Sequence, residues 1–127
     1  MKVHNPSTIA APLGAYSNGI ATPAGGQWLH IAGQVGVLPD GSLAEGVEAQ
    51  ADAAWRNLLA VLEDAGMGVE HLVKVQHFLL DPADLKAYGS VRARHLGQAR
   101  PASTLLFVAG LAHPGWKVEI DAVAWRM

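Results

Sequence analysis

Two long stretches of this chain carry no charged side chain at all: residues 3–39 and 101–116 contain no Asp, Glu, Lys or Arg. Neither can be a membrane-spanning helix, because Pro, Gly, Asn, Ser and Gln interrupt both and an uninterrupted apolar run of about 20 residues is needed. They must be accommodated in a folded domain. A chain of 127 residues buries only about two-thirds of its unfolded surface, which is less than uncharged segments of this length require. Charged residues are depleted at the cores of subunit interfaces, so both stretches are expected to line an interface between copies of the chain. A monomer with a neutral, polar face is the alternative.

The length fits one domain spanning 1–127, and a composition that is half hydrophobic supplies a core. Nine Lys and Arg against eleven Asp and Glu leave a net charge of -2, which offers no handle for a nucleic-acid backbone or an anionic membrane surface. No cysteine is present, so disulfide, zinc-thiolate and thiol-nucleophile chemistry are excluded. Asn5 is followed by Pro6, and Asn18 by Gly19 and Ile20, so neither is a glycosylation acceptor. No apolar leader with a small-residue cleavage site follows Met1. A cytoplasmic protein is expected.

Gly and Pro punctuate the elements. Residues 15–22 and 27–35 read as strands separated by Pro23, Ala24, Gly25 and Gly26. Val47, Ala51, Ala54, Leu58, Val61 and Ala65 recur at helical steps, and Gly66 and Gly68 end that helix. Ser42 and Glu45 have the spacing of a capping box ahead of it, with Gly46 intervening. His71 to Leu80 is a third strand, with Val73, Val75, His77 and Leu79 on one side. Asp81, Pro82 and Asp84 then start a second helix that ends near Gly97. Strands at Ser103–Ala109 and Trp116–Trp125 complete the order β-β-α-β-α-β-β, an α+β fold with both helices on one face of a mixed sheet.

No dinucleotide or phosphate loop, metalloprotease helix or nucleophile elbow occurs in the sequence. The six histidines, at 4, 30, 71, 77, 95 and 113, show no ligand spacing, and each is expected to be structural, with no metal. The four Trp residues, at 28, 55, 116 and 125, are assigned to core and interface packing. On the last strand Lys117, Glu119 and Asp121 alternate with Val118, Ile120 and Ala122. That face is either solvated or, if a neighbouring subunit covers it, places Glu119 to orient a water molecule or transfer a proton.

The segments Pro12-Leu13-Gly14-Ala15-Tyr16-Ser17, Ala32-Gly33-Gln34, Gln50 with Asn57-Leu58, Ala65-Gly66, Val73-Lys74, Phe78-Leu79 with Asp81 and Asp84, Pro101-Ala102 and Glu119-Ile120-Asp121-Ala122 occur in order along the chain. Together they resemble the RidA (YjgF-type) family of reactive-intermediate deaminases, over essentially the full length. The resemblance implies a chorismate-mutase-like fold and a homotrimer with a small-molecule cleft at each subunit boundary. It also implies hydrolysis, without a cofactor, of the enamines or imines released by pyridoxal-phosphate enzymes. Carried over by position, Tyr16 is the cleft tyrosine, Gly33 and Gln34 belong to a cleft wall, and Glu119 positions water. Three departures bear on the substrate. Ser103 stands where the carboxylate-binding arginine of the family is expected, next to Thr104, and Leu105 replaces a small cleft residue. Gly89 occupies the place of a frequent asparagine.

A guanidinium holds a carboxylate through two charge-assisted hydrogen bonds, whereas a serine hydroxyl offers one neutral donor. Either another cation substitutes, with Arg92 and Arg100 as the candidates, or the ligand lacks a carboxylate, or catalysis is lost. Two readings follow. One is an enamine/imine hydrolase with Glu119 acting on water and Tyr16, Ser103 and Thr104 shaping the cleft. The other is a binding protein that uses the same cleft without turnover. A ribonuclease reading, also attached to this family, is disfavoured by the lack of a basic groove.

Overall fold

A computed structural model describes residues 1–127. The second uncharged segment read as a strand falls where expected, at Gln27–Val35 (β3). The first does not. Instead of one strand over 15–22, only Gly19–Ala21 (β2) is extended, and it pairs antiparallel with Lys2–His4 (β1) in a two-stranded ladder apart from the main sheet. The remaining elements are Val47–Asp64 (α1), Leu72–Leu79 (β4), Leu85–Leu96 (α2), Ala102–Phe107 (β5) and Val118–Arg126 (β6).

The main sheet runs in the order β3-β6-β4-β5 and is mixed: β6 is antiparallel to both β3 and β4, while β4 and β5 are parallel. A parallel pair needs a crossover, and α2 supplies it. Alternation on β6 sends Val118, Ile120, Ala122 and Ala124 toward the helices. There they join Ala51, Ala54, Trp55, Leu58 and Leu62 of α1, and Tyr88, Val91 and Leu96 of α2. Each fully buried Leu in this layer is worth about 1.5–3 kcal/mol. Both helices therefore cover one face, and the other face of the sheet has no covering element of its own.

The end of α1 is as the glycines predicted. Gly66, at φ 69, lets the Met67 N–H donate to the Leu62 carbonyl and its own N–H donate to that of Glu63, and Met67 tucks into the core. Its start is not. The expected capping box at Ser42 is absent because Ser42 donates to Asp40 within the preceding turn, and Gly46, at φ 86, enters the helix with no side-chain cap. At α2, Asp81 accepts from the Ala83 N–H at 2.9 Å and Pro82 opens a 3-10 turn, Pro82–Asp84, that leads into the helix.

The pairing of β4 with β6 shifts between Leu72 and Lys74, so Val73 leaves the face shared by Val75, His77 and Leu79. Two amides of the sequence pattern turn out to be fasteners. Buried Gln50 donates to the Gly115 carbonyl and accepts from the Lys117 N–H, fixing the entry to β6, and Asn57 donates to the Val35 and Val37 carbonyls at the exit of β3.

Candidate functional site: a cavity over the start of β5

The segment ahead of β2 is held against β5 rather than paired as a strand. The Ser17 N–H donates to the Pro101 carbonyl at 3.1 Å, its hydroxyl donates to the Arg100 carbonyl, and Ser17 bridges Ala102. Immediately before it, the Tyr16 N–H donates to Gly14 and the Leu13 N–H donates to the Tyr16 hydroxyl at 3.1 Å. This small knot fixes the phenol ring beside the first residues of β5. A cavity of about 200 Å³ results, lined by Leu13, Gly14, Tyr16, Arg92, Ser103 and Leu105 among others. At roughly 30 Å³ per water molecule, it accommodates a small metabolite.

Arg92 comes from α2 and Ser103 from β5, so the crossover brings them together. The Arg92 guanidinium sits 5.6 Å from the centre of the Tyr88 ring and belongs to none of the chain's ion pairs. Gly89 is one turn earlier, and a Cβ there would lie 3.7 Å from an Arg92 terminal nitrogen. Arg100, the other candidate cation, is outside the cavity: its guanidinium donates to the Gly97 and Ala99 carbonyls and closes the end of α2.

Behind the cavity wall, the Ser103 hydroxyl lies 2.8 Å from His77 Nε2, and His77 Nδ1 is hydrogen-bonded to the Tyr88 hydroxyl. His77 is 1 % exposed and Tyr88 fully buried. Burial, reinforced by the Arg92 cation, holds the His77 pKa down at about 3, so the ring is neutral at physiological pH. Burial likewise pushes the Tyr88 hydroxyl well above the usual tyrosine range. Neither residue was singled out from sequence. The available signal is a histidine alternating with Val75 and Leu79 on an apolar strand face, a pattern equally expected of a structural residue. On the far side of Trp55, His95 stacks on the indole and bonds Asp52 at 2.8 Å; that contact, with Arg56, keeps the Asp52 carboxyl below its ordinary range.

Glu119, Gly33 and Thr104 form a second group on the uncovered sheet face, while Gln34 is in register with Ile120 of the helix side. Glu119 lies opposite Val35 and Phe78 in register, against Gly33. A Cβ on Gly33 would fall 2.6 Å from the Glu119 carboxylate. The Gln34 side chain turns back to the Ala32 carbonyl, and Thr104 takes a hydrogen bond from Lys74 at 3.0 Å. Asp121, on the same face, has its carboxyl raised by burial. Within one chain, then, Tyr16, Ser103 and Arg92 converge, while Glu119, Gly33 and Thr104 do not join them. No group of three or more His, Asp or Glu is placed to hold a metal ion, and no helix is long and apolar enough to cross a membrane.

Comparison with known proteins places this geometry in a family. The Endoribonuclease L-PSP family description matches residues 7–126. The chain belongs to this family, the one that includes the RidA and YjgF proteins. A RutC family protein of Synechocystis is 38% identical over 98% of the chain and 95% of its own length. The mouse 2-iminobutanoate/2-iminopropanoate deaminase is 31% identical over 97% of the chain and 90% of its own. A Rid-family crystal structure from Yersinia pestis superposes with a TM-score of 0.84 at 29% identity, covering 98% of each chain. Escherichia coli TdcF with bound serine superposes at 0.74 and 27% identity, covering all of both chains. The α+β, chorismate-mutase-like architecture of the Rid family is therefore that of this chain.

Proposed function

We propose that this chain hydrolyses small carboxylate-bearing enamines or imines to a 2-keto acid and ammonia, with Arg92 replacing the arginine that the family resemblance expects at position 103. The observation that carries this reading is that Arg92 shares one cavity with Tyr16 and Ser103 and has no counter-ion. A carboxylate fits that vacancy in the charge balance. The deaminase name of the mouse relative and the serine bound to TdcF support the substrate class. The net charge of -2 argues against RNA as a substrate.

In the reaction, a water oxygen adds to the C=N carbon of the iminium form, Glu119 takes the proton that water loses, and the carbinolamine collapses. Glu119 returns that proton to the amino nitrogen, the C–N bond breaks and ammonia departs, and the hydroxyl proton passes back to Glu119 as the carbonyl of the keto acid forms. Glu119 is on the opposite sheet face from the cavity of its own chain, so this chemistry needs a neighbouring copy. The uncharged stretches supply the edge strands β3 and β5, and edges without charge invite pairing. Trp28 and Leu106, 46% and 47% exposed, lie on the uncovered side. On this reading a homotrimer carries Glu119 and Gly33 of one protomer to the Tyr16–Ser103–Arg92 cavity of the next.

The test is a coupled assay of freshly generated 2-aminoacrylate. Wild type is expected to release pyruvate and ammonia, Arg92→Ala to raise KM at least tenfold, and Glu119→Ala to lower kcat. An Arg92→Ala enzyme with unchanged KM overturns the assignment. The separation of Glu119 from the cavity within one chain favours a second reading, binding without turnover; inert wild type that still binds pyruvate would establish it.

A further inference from the structure

Behind the cavity, three buried groups that the proposed reaction does not use, Trp55, Tyr88 and His77, form a polar line that ends at Ser103 in the cavity wall. Counting donors along this line fixes its direction. The Trp55 indole nitrogen is buried without a hydrogen-bond partner, and an indole N–H can only donate. It offers Tyr88 no acceptor. The one acceptor bonded to the Tyr88 hydroxyl is His77 Nδ1, so the phenol proton is donated there. Nδ1 must then be bare, and the single proton of the neutral ring is on Nε2, directed at Ser103 Oγ 2.8 Å away. The opposite tautomer would strand the Tyr88 proton with no acceptor in the interior, an arrangement that folded proteins avoid. Because Ser103 Oγ accepts from Nε2, its own proton is free to turn outward into the cavity.

We infer that His77 is a positioning residue, locked by Tyr88 in its Nε2–H form, that leaves the Ser103 proton free to be donated to the guest of the cavity. This rests on the cavity being the ligand site, and it sharpens the substrate class. The wall made by Ser103, Tyr16 and Arg92 then turns three donors to the guest: the Tyr16 hydroxyl already accepts from the Leu13 N–H and keeps its proton to give, and a guanidinium never accepts. A carboxylate, which only accepts, sits there in one orientation. An ammonium or iminium nitrogen, which only donates, is turned away from this wall and toward the cavity mouth, where water attacks. The charged group acting on His77 is Arg92; His95 stacks on Trp55, and Asp52 bonds His95.

Two measurements on the full chain test this. Nitrogen-15 NMR of the imidazoles should show His77 with Nε2 protonated and Nδ1 bare, unchanged between pH 8 and pH 5. Pyruvate affinity should fall about tenfold, the loss of one hydrogen bond to a charged acceptor, in Ser103→Ala and equally in Tyr88→Phe, although Tyr88 never touches the ligand. The double variant should lose no more than either alone. A proton on Nδ1, an unaffected Tyr88→Phe, or additive losses overturn the relay while leaving the cavity assignment intact. Failure of wild type to bind pyruvate overturns the ligand assignment itself, whatever tautomer is seen.

Discussion

Gly33 and Glu119 face each other across the β3–β6 pair so closely that one added methyl group would meet the carboxylate at 2.6 Å and the carboxyl carbon at 2.8 Å. The clash is with the mobile end of a side chain rather than with backbone, so an alanine there should be tolerated by rotation of Glu119 instead of by unfolding. Gly33→Ala is therefore expected to keep its melting temperature within a few degrees of wild type while losing roughly a hundredfold in imine hydrolysis, the usual contribution of a positioned acid or base. Thermal unfolding and the coupled assay on the same preparation check this; activity retained alongside Glu119→Ala inactivity would mean that the glutamate does not work from this position.

A pH dependence of stability follows from His77. Its folded pKa, about 3, is depressed below the unfolded value of 6.5, so its contribution is complete above pH 6.5 and is lost as pH falls toward 3. At about 1.4 kcal/mol per pH unit, roughly 2 kcal/mol should disappear between pH 6.5 and 5. Asp52, also depressed, acts below its ordinary 3.8 and in the same direction, outside that window. Urea unfolding at pH 7, 6 and 5 should show the decline, and His77→Leu should flatten it even though the variant is less stable throughout.

The uncovered sheet face gives a third expectation. Leu106 is about half exposed on an edge strand that has no charge, and a carboxylate placed there would have to be desolvated in any interface. Light scattering of wild type should give about three times 13.3 kDa, and Leu106→Asp should shift the mass toward that of one chain at micromolar concentration. A wild-type mass of one chain would remove the shared cleft from consideration.

How far the sequence went depends on the length of each signal. The stripe of α1 and the turn glycines around it are legible because many residues repeat one period, and β3 begins where the turn cluster Pro23 to Gly26 ends. The β1–β2 ladder was not, since three residues on each side carry no alternation, and the stretch before it is shaped by Ser17 bonding to residues some 83 positions away. The capping box failed because Ser42 had a nearer partner in Asp40. Tyr16 and Ser103 were found through family resemblance, and Arg92 was one of two named cations; geometry separates it from Arg100, whose donors are spent on the helix end. His77 and Tyr88 stand on different elements with no shared spacing, so only packing brings them into contact.

Arg92 and Ser103 belong to a single crossover, β4 through α2 to β5, and the short connection from Gly97 to Pro101 sets how far the helix sits from the strand it feeds. Lengthening or trimming that connection would widen or narrow the gap between guanidinium and hydroxyl while α1 and its half of the core stay as they are. In a lineage of such chains, the size of the accepted guest can drift with the length of one small hinge, and the rest of the scaffold need not change to follow it.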